Sequence, residues 1–385
     1  SQDGCVNIVC DRNLVGIDAM LAGLGDITKL DGRRIDRAAV EKADALLVRS
    51  ITPVDEQLLS GSAVKFVGTA TAGFDHFDHA WLERAGIRWV SAPGCNANSV
   101  VEYVLSAILA VDDYWDRLSR GGHLGVIGYG HVGRLLVHRA QGLGIVCRVF
   151  DPWLAPAELD SPASLEDVLG CDVISVHASL TREAPWPSFH LLNAERLGLI
   201  DSSSLLINAS RGPVADDAAL LKCLSAGSAP IAVLDVWESE PDIMPELLAL
   251  ARLGTPHIAG HSLDAKLDGA RQIVDAMRVA FDLPALERSE SADDRPPVEI
   301  QPGLTRKEAV RHALRKTYHI EKDDRILRAA LGVATPEERP GVFDRLRRDY
   351  PVRRELAGST LLGEAGDDAT RWVAHAFGCR FKETA

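Results

Sequence analysis

Short apolar runs alternate along the first hundred residues with stretches in which apolar side chains return every three or four positions. Val6–Asp11 (VNIVCD), Asp44–Ser50 (DALLVRS), Val64–Ala70 (VKFVGTA) and Ile87–Ala92 (IRWVSA) have the first pattern and predict buried strands. Residues 13–25, 53–61 and 77–86 have the second and predict the helices between them. Strands alternating with helices predict a parallel sheet covered on both faces. Residues 92–116 place Val100, Val101, Val104, Leu105, Ile108 and Leu109 at helical spacing and predict one long helix. Four later apolar runs, 172–180, 204–212, 231–238 and 255–261, predict further strands. A helical stretch over 263–283 then carries the chain back towards its first sheet.

Beyond Pro284 the pattern changes. Residues 285–297 are polar, charged and proline-containing, which predicts a linker. A short strand at 297–300, helices near 307–317 and 323–331, and the mixed segment 341–362 make a small α/β domain. The predicted domains are thus 1–95 with 258–285, an inserted 96–257, and 286–385, with a cleft between the first two.

The run from His123 to Ile127 is too short for a helix and ends in Gly128-Tyr129-Gly130-His131-Val132-Gly133, a G-x-G-x-x-G spacing that opens a helical pattern. Gly128 suits the tight strand-to-helix turn, Gly130 lets a pyrophosphate approach the backbone, and Gly133 lets the helix lie close to the strand. Unpaired N–H groups at the new helix start would face the phosphates. The next apolar run ends at Asp151, 18 residues after Gly133, where a carboxylate would hold an adenosine ribose. Pro152 and Trp153 follow it, with no arginine to accept a 2′-phosphate, so NAD is expected rather than NADP.

Charge narrows the partners. The 385 residues carry a net charge of −13, and the part before Leu286 holds 37 acidic against 23 basic side chains. Such a body is a poor partner for nucleic acid, so an anionic ligand must be met by a few placed arginines or backbone N–H groups. Seven cysteines without paired spacing suit a reducing compartment. No basic region followed by an apolar run opens the sequence, and no stretch is long enough to span a bilayer. A cytoplasmic protein without a membrane partner is expected.

Three further segments carry chemistry. NASRG places Arg211, DVWESEP places Asp235 and Glu240, and PHIAGH places His257, each at the end of a predicted strand. Arginine grips a carboxylate with a planar fork. Histidine exchanges a proton near neutral pH, and a carboxylate beside it stabilises the imidazolium and fixes the tautomer. Beside a nicotinamide, these groups suit the oxidation of a 2-hydroxy acid.

In this order the motifs resemble the D-isomer-specific 2-hydroxyacid dehydrogenases. VRSIT, KFVGTATAGFDHFD, APGCNA, DVWESEP and HIAGHSL, with FDRLRRDY and the following RRE near the end, are similar to a narrower branch acting on a small phosphorylated 2-hydroxy acid. The resemblance implies an α/β protein with two doubly wound parallel-sheet domains. A Rossmann-type nucleotide domain would be inserted in a flavodoxin-like substrate domain, followed by a small C-terminal domain that forms a homodimer. It implies Arg211, Glu240 and His257 as catalytic residues. Gly128, Gly130, His131, Val132, Gly133, Asp151, Ala178, Asp235 and Gly260 would meet the cofactor, and Ser50, Thr71 and His261 the substrate. Two positions depart from that branch: Ala178 stands where it has threonine, and His261 where it has tyrosine. Other members of the family, acting on 3-phosphoglycerate or hydroxypyruvate, and a non-catalytic NAD sensor on the same fold, are the alternative readings.

Plainer readings cover the remaining candidates. Asp75, His76, Asp78 and His79 have metal-like spacing but fit a helix start better, and no metal is expected. Cys95 lacks a base and fits a buried turn. His177 and His190 read as core or surface histidines. Arg345, Arg347, Arg348, Arg353 and Arg354 read mostly as a solvated face, with one or two of them, tested first at Arg353 and Arg354, candidates to reach a substrate phosphate across a dimer.

Overall fold

The computed structural model describes residues 6–286 and 295–384. Most of the predicted linker, residues 287–294, lies outside the described residues. The chain divides into two compact units, one of residues 1–96 with 262–292, the other of 97–261 with 293–385.

The first unit is a five-stranded parallel sheet in the order β2-β1-β3-β4-β5. Its strands are β1 (Val6–Asp11), β2 (Gly25–Leu30), β3 (Ala45–Val48), β4 (Phe66–Thr69) and β5 (Arg88–Val90). Every residue of β3 and β4 is buried, as a central strand covered on both faces requires. Apart from Gly25, the last residue of a predicted helix, β2 runs through residues to which the sequence pattern assigned no element. It is an edge strand, exposed along most of its length, and so lacks the apolar run that marks the others. The helix Leu263–Ala280 packs Ile273 and Met277 into the core with Ile8, Leu47 and Phe66. Short helices open on aspartate caps; Asp78 accepts from the Trp81 N–H at 2.9 Å, so the Asp75–His79 cluster is a helix start.

The second unit is built on a six-stranded parallel sheet in the order β11-β10-β9-β8-β6-β7. Its strands are β6 (His123–Ile127), β7 (Val146–Phe150), β8 (Val173–Val176), β9 (Leu205–Asn208), β10 (Ile231–Leu234) and β11 (Leu253–Gly254). The chain winds outward from β6 to β7 on one side and from β6 through β8 on the other. That reversal is where a doubly wound sheet leaves a crevice at its carboxyl edge. The single helix predicted over 92–116 is two, Ala97–Ala110 and Tyr114–Ser119, separated by a break in which Asp112 has φ +42. The first is buried almost all round, which accounts for its unbroken apolar pattern. The strand predicted over 255–261 is a loop, because β11 finds a ladder partner only at Leu253 and Gly254.

A second, three-stranded parallel sheet closes this unit: β12 (Val298–Glu299), β13 (Thr360–Gly363) and β14 (Arg380–Glu383). Helix Asp368–Phe377 packs on it, and Arg306–Thr317, opened by a Thr305–Glu308 capping box, packs on that helix, while Ile320–Val333 and Arg339–Arg348 send Leu327, Leu331, Val342 and Phe343 into the core of the six-stranded sheet. The basic run of residues 345–354 is not uniformly a solvated face. Arg353 is 5% exposed, its Cζ 3.9 Å from the Tyr318 ring centroid, and it donates to main-chain carbonyls of Ser99 and Ala259. Those bonds, rather than a substrate phosphate, occupy it. Among the described residues no helix is long and apolar enough to cross a membrane.

Candidate active site

Sheet register aligns the site. Ile127 of β6 pairs with Val176 of β8, Val176 with Asn208 of β9, Asn208 with Leu234 of β10, and Leu234 with Gly254 of β11. One row of residues thus ends five neighbouring strands, and the loops that leave it carry the glycine fingerprint, Ala178, Arg211, Glu240 and His257.

After β6 the chain turns at Gly128, whose φ is +93 and where a Cβ would lie 2.6 Å from the Ala178 nitrogen. The helix His131–Gly142 begins directly behind this turn, its first internal bond running from the Arg134 N–H to the Gly130 carbonyl. The N–H groups ahead of that bond have no helical partner and suit an anion. Gly133 is buried where helix meets strand, and Val132 packs against the core. Asp151 follows β7, its carboxylate accepting from the Tyr129 and Trp153 N–H groups at 2.8 and 3.0 Å. These groups edge a cavity of about 1240 Å³ lined by Gly130, His131, Asp151, Trp153 and Ala178 among others.

A cavity of that size, with a glycine turn, a helix start and a fixed carboxylate along it, fits a dinucleotide. The sequence pattern did not point to Arg134, which also lines it and stacks on the Tyr129 ring at 4.4 Å. An arginine at i+3 of a helix carries no local signal for that placement.

The side chains expected to be catalytic leave the next three strands. Asn208 ends β9 and organises the turn before Arg211, its side chain accepting from Ser210 and donating to the Arg211 carbonyl at 3.2 Å. Glu240 is half-buried: Oε1 accepts from the Trp237 N–H at 2.9 Å, and Oε2 meets Nδ1 of His257 at 2.7 Å. Burial would push its carboxyl up, but His257, the Trp237 N–H and Arg347 outweigh burial and hold it below the usual range. With Nδ1 donating to Glu240, the Nε2 of His257 is left to exchange a proton.

His257 sits at φ +56, a conformation its loop must enforce. Asp235 does this. Fully buried after β10, it accepts from the Thr255 hydroxyl and the Ile258 N–H on Oδ1 and from the Ala259 N–H on Oδ2, at 2.7 to 3.0 Å. Its own carbonyl takes the His257 N–H. Burial raises the Asp235 carboxyl above its ordinary value despite these donors. The Thr255 hydroxyl, having given its proton to Asp235, accepts from Tyr103. Gly260 is half-buried in the turn closed by the His261 N–H and the Ile258 carbonyl.

His177 is half-buried, bonded to Ser175, and pushed down to about 3 by desolvation, so it is neutral. His190 contacts Glu238 at 2.6 Å and Asp216 at 3.7 Å. Among the described residues these three form the cluster with donor atoms near enough for a metal, and hydrogen bonding accounts for it. Cys95 is half-buried and forms no disulfide.

In the first unit, Ser50 and Thr71 each stand two residues past a strand end, and those ends, Val48 and Thr69, are register partners. Thr71 donates to the Gly73 carbonyl at 2.8 Å, and Ser50 is exposed. The sequence reading missed two cations beside them. Arg49 pairs with buried Asp11 at 2.7 Å, and Lys266 is held below its usual value by burial and by Arg49.

Residues 112–259 match the family model of the D-isomer specific 2-hydroxyacid dehydrogenase NAD binding domain, and residues 293–375 match a domain of unknown function. The chain is 44% identical over 377 residues to the erythronate-4-phosphate dehydrogenase of Cellvibrio japonicus (strain Ueda107), covering 96% of this chain and 98% of that one. It is 42% identical to that of Stutzerimonas stutzeri (strain A1501), covering 97% and 99%. Its fold is similar to the crystal structure of D-lactate dehydrogenase from Aquifex aeolicus complexed with NAD and lactic acid. That similarity has a TM-score of 0.61 and 23% identity, covering 72% of this chain and 96% of that one.

Proposed function

We propose that this chain, which belongs to the D-isomer-specific 2-hydroxyacid dehydrogenase family and within it to the erythronate-4-phosphate dehydrogenases, oxidises 4-phospho-D-erythronate. The product is the 2-oxo acid, 3-hydroxy-2-oxo-4-phosphooxybutanoate, a step of pyridoxal phosphate biosynthesis. The observation that carries the reading is the 2.7 Å pairing of Glu240 with His257, on loops that leave the same sheet edge as Arg211 and the glycine turn.

Arg211 grips the substrate carboxylate with its fork. Nε2 of His257 takes the proton of the 2-hydroxyl, and Glu240 stabilises the imidazolium that results. When bound, NAD supplies the acceptor for the hydride that leaves C2. The electron pair of the broken O–H bond becomes the second C–O bond, and the proton passes from His257 to solvent. Gly128, Gly130, His131, Val132, Gly133, Asp151 and Ala178 hold the dinucleotide, with Val132 and Gly133 acting through main-chain position. Asp235 and Gly260 serve the cofactor by shaping the loop around His257.

Residues 1–95 with 258–285 form the substrate domain, and within its part in the first unit Ser50 and Thr71 contact substrate and Arg49 and Lys266 offer charge for its phosphate. His261 takes the place of the family tyrosine; the hydroxyl that Ala178 lacks costs about 0.5–1.5 kcal/mol of binding. Residues 286–385 join two copies as a homodimer. The cysteines among the described residues form no disulfide, which suits a cytoplasmic setting.

The test is turnover by the purified protein with NAD and a panel of 2-hydroxy acids, followed by nicotinamide absorbance. The highest kcat/KM is expected with 4-phospho-D-erythronate. A preference for 3-phosphoglycerate or glycerate would move the chain to another branch, and NAD binding without turnover of any of them would make it a sensor.

A further inference from the structure

The C-terminal segment, whose match is a domain of unknown function, reaches the catalytic loops of its own chain at several points. On the helix Ile320–Val333, Asp324 accepts from the Gly254 N–H at 2.8 Å, three residues before His257. Arg328, paired with Asp324 at 2.8 Å, donates to the carbonyls of Leu248 and Ala251 at 2.6 and 2.8 Å. Arg353 donates to the Ala259 carbonyl at 3.3 Å, on the other side of His257. The Tyr350 ring stands edge-on to His261, centroids 6.0 Å apart. From the helix Arg339–Arg348, Arg347 brings Nη1 to 3.9 Å from Oε2 of Glu240, the oxygen that meets His257. Its Nε is buried without a hydrogen-bond partner among the described residues. So the catalytic loop is held on both sides of His257, and the carboxylate behind the imidazole has a cation from the same segment.

We propose that the C-terminal segment completes the catalytic site of its own chain, with Arg347 as a positioning residue whose cationic guanidinium fixes the Glu240 carboxylate against His257. This inference rests on the dehydrogenase reading. Glu240 is faced by His257 from the 255–261 loop, by Arg347 from its helix and by the Trp237 N–H from its own loop. Asp235 adds negative charge near His257, and Asp217 lies behind Glu240 beyond Glu238. In that balance Arg347 adds a smaller but permanent positive charge, 3.9 Å from Oε2, that favours the ionised Glu240 behind the larger effects of His257 and the Trp237 N–H while opposing the protonation of the imidazole. Its removal therefore favours the imidazolium, and the base stays blocked up to a higher pH.

The experiment compares Arg347→Gln, which removes the charge, with Arg347→Lys, which keeps it, in the full-length protein and on the 2-hydroxy acid that the unaltered chain turns over best. In Arg347→Gln, kcat is expected to fall on the order of tenfold, a fraction of what general acid–base catalysis contributes. The acidic limb of its kcat/KM profile should move up by about half a pH unit. KM for NAD should stay unchanged, and Arg347→Lys should recover most of the rate with the limb unmoved.

An unmoved limb with kcat within about twofold of the unaltered chain in Arg347→Gln overturns the proposal. So does an Arg347→Lys variant as impaired as the Gln variant. Should Arg347→Gln not fold, the Lys variant decides alone, since a moved limb there removes the role given to charge. Co-expression of Arg347→Gln with Arg211→Ala chains tests the origin of the arginine; recovered activity would mean that Arg347 acts on another copy, and none is expected. A chain that oxidises no 2-hydroxy acid fails the dehydrogenase reading instead, before any variant is compared.

Discussion

A Cβ placed on Gly133 would lie 2.0 Å from the carbonyl oxygen of Gly128. The first turn of the nucleotide helix and the end of β6 are therefore in backbone contact, and that contact aims the helix start at the cavity. Gly133→Ala must push the helix off the strand. The expected result is at least about tenfold weaker NAD binding, a loss of roughly 1.4 kcal/mol or more, with a lowered Tm. Quenching of tryptophan fluorescence by NAD would check it; unchanged affinity would remove the close approach from the account.

Glu240→Gln keeps the shape of the side chain but lets an amide face Nδ1 of His257, where it can impose the wrong tautomer. A loss of kcat on the order of 10²–10⁴ is expected, as for other carboxylate–imidazole pairs. With the negative charge gone the imidazolium is less favoured, so the acidic limb of the oxidation profile should move to lower pH. That is opposite to the shift expected for Arg347→Gln, and steady-state kinetics across pH would separate the two.

Arg211→Lys keeps the charge and loses the fork. Each charge-assisted hydrogen bond contributes about 1.5–3 kcal/mol, so kcat/KM should fall at least about tenfold with little change in Tm. A near-normal rate would take Arg211 out of substrate binding.

Asp217 gives a stability prediction with a definite sign. Burial first, then Glu238, Asp216 and Glu240, raise its carboxyl to about 7, although the Glu238 N–H bonded to it works the other way. An acid whose folded pKa lies above its unfolded value favours folding while protonated. Its ionisation then costs stability progressively as pH rises from about 4, near its unfolded value, to about 7. Asp217→Asn cannot ionise and should raise Tm modestly at pH 5, where only the first part of that cost applies, and about two to three times as much at pH 8.5, where all of it does. About 2–4 °C is expected per kcal/mol of ionisation cost removed. Equal effects at both pH values, read by calorimetry, would place the ionisation of Asp217 elsewhere.

The chain's local chemistry was legible wherever one short segment decides the outcome. The glycine turn at Gly128 and Gly133 is written in adjacent residues because backbone conformation and close approach are local demands. The buried strands of both sheets are apolar runs because both of their faces are covered. Arg211, Glu240 and His257 stand out as residue types at strand ends.

What the tertiary structure alone decided are contacts between segments far apart in the chain. β2 is a strand only because β1 offers an edge, and its exposed side chains carry no apolar pattern. Residues 255–261 have the composition of a strand but no neighbour to pair with beyond Gly254, so Asp235 holds them as a loop and sets the backbone of His257. Arg347 and Arg353 read as surface charge until the fold brings the C-terminal segment onto the catalytic loops. Hydrophobic periodicity records whether a position is covered, but not by what. A charge on the flank of a helix therefore looks the same in sequence whether it faces water or a half-buried carboxylate.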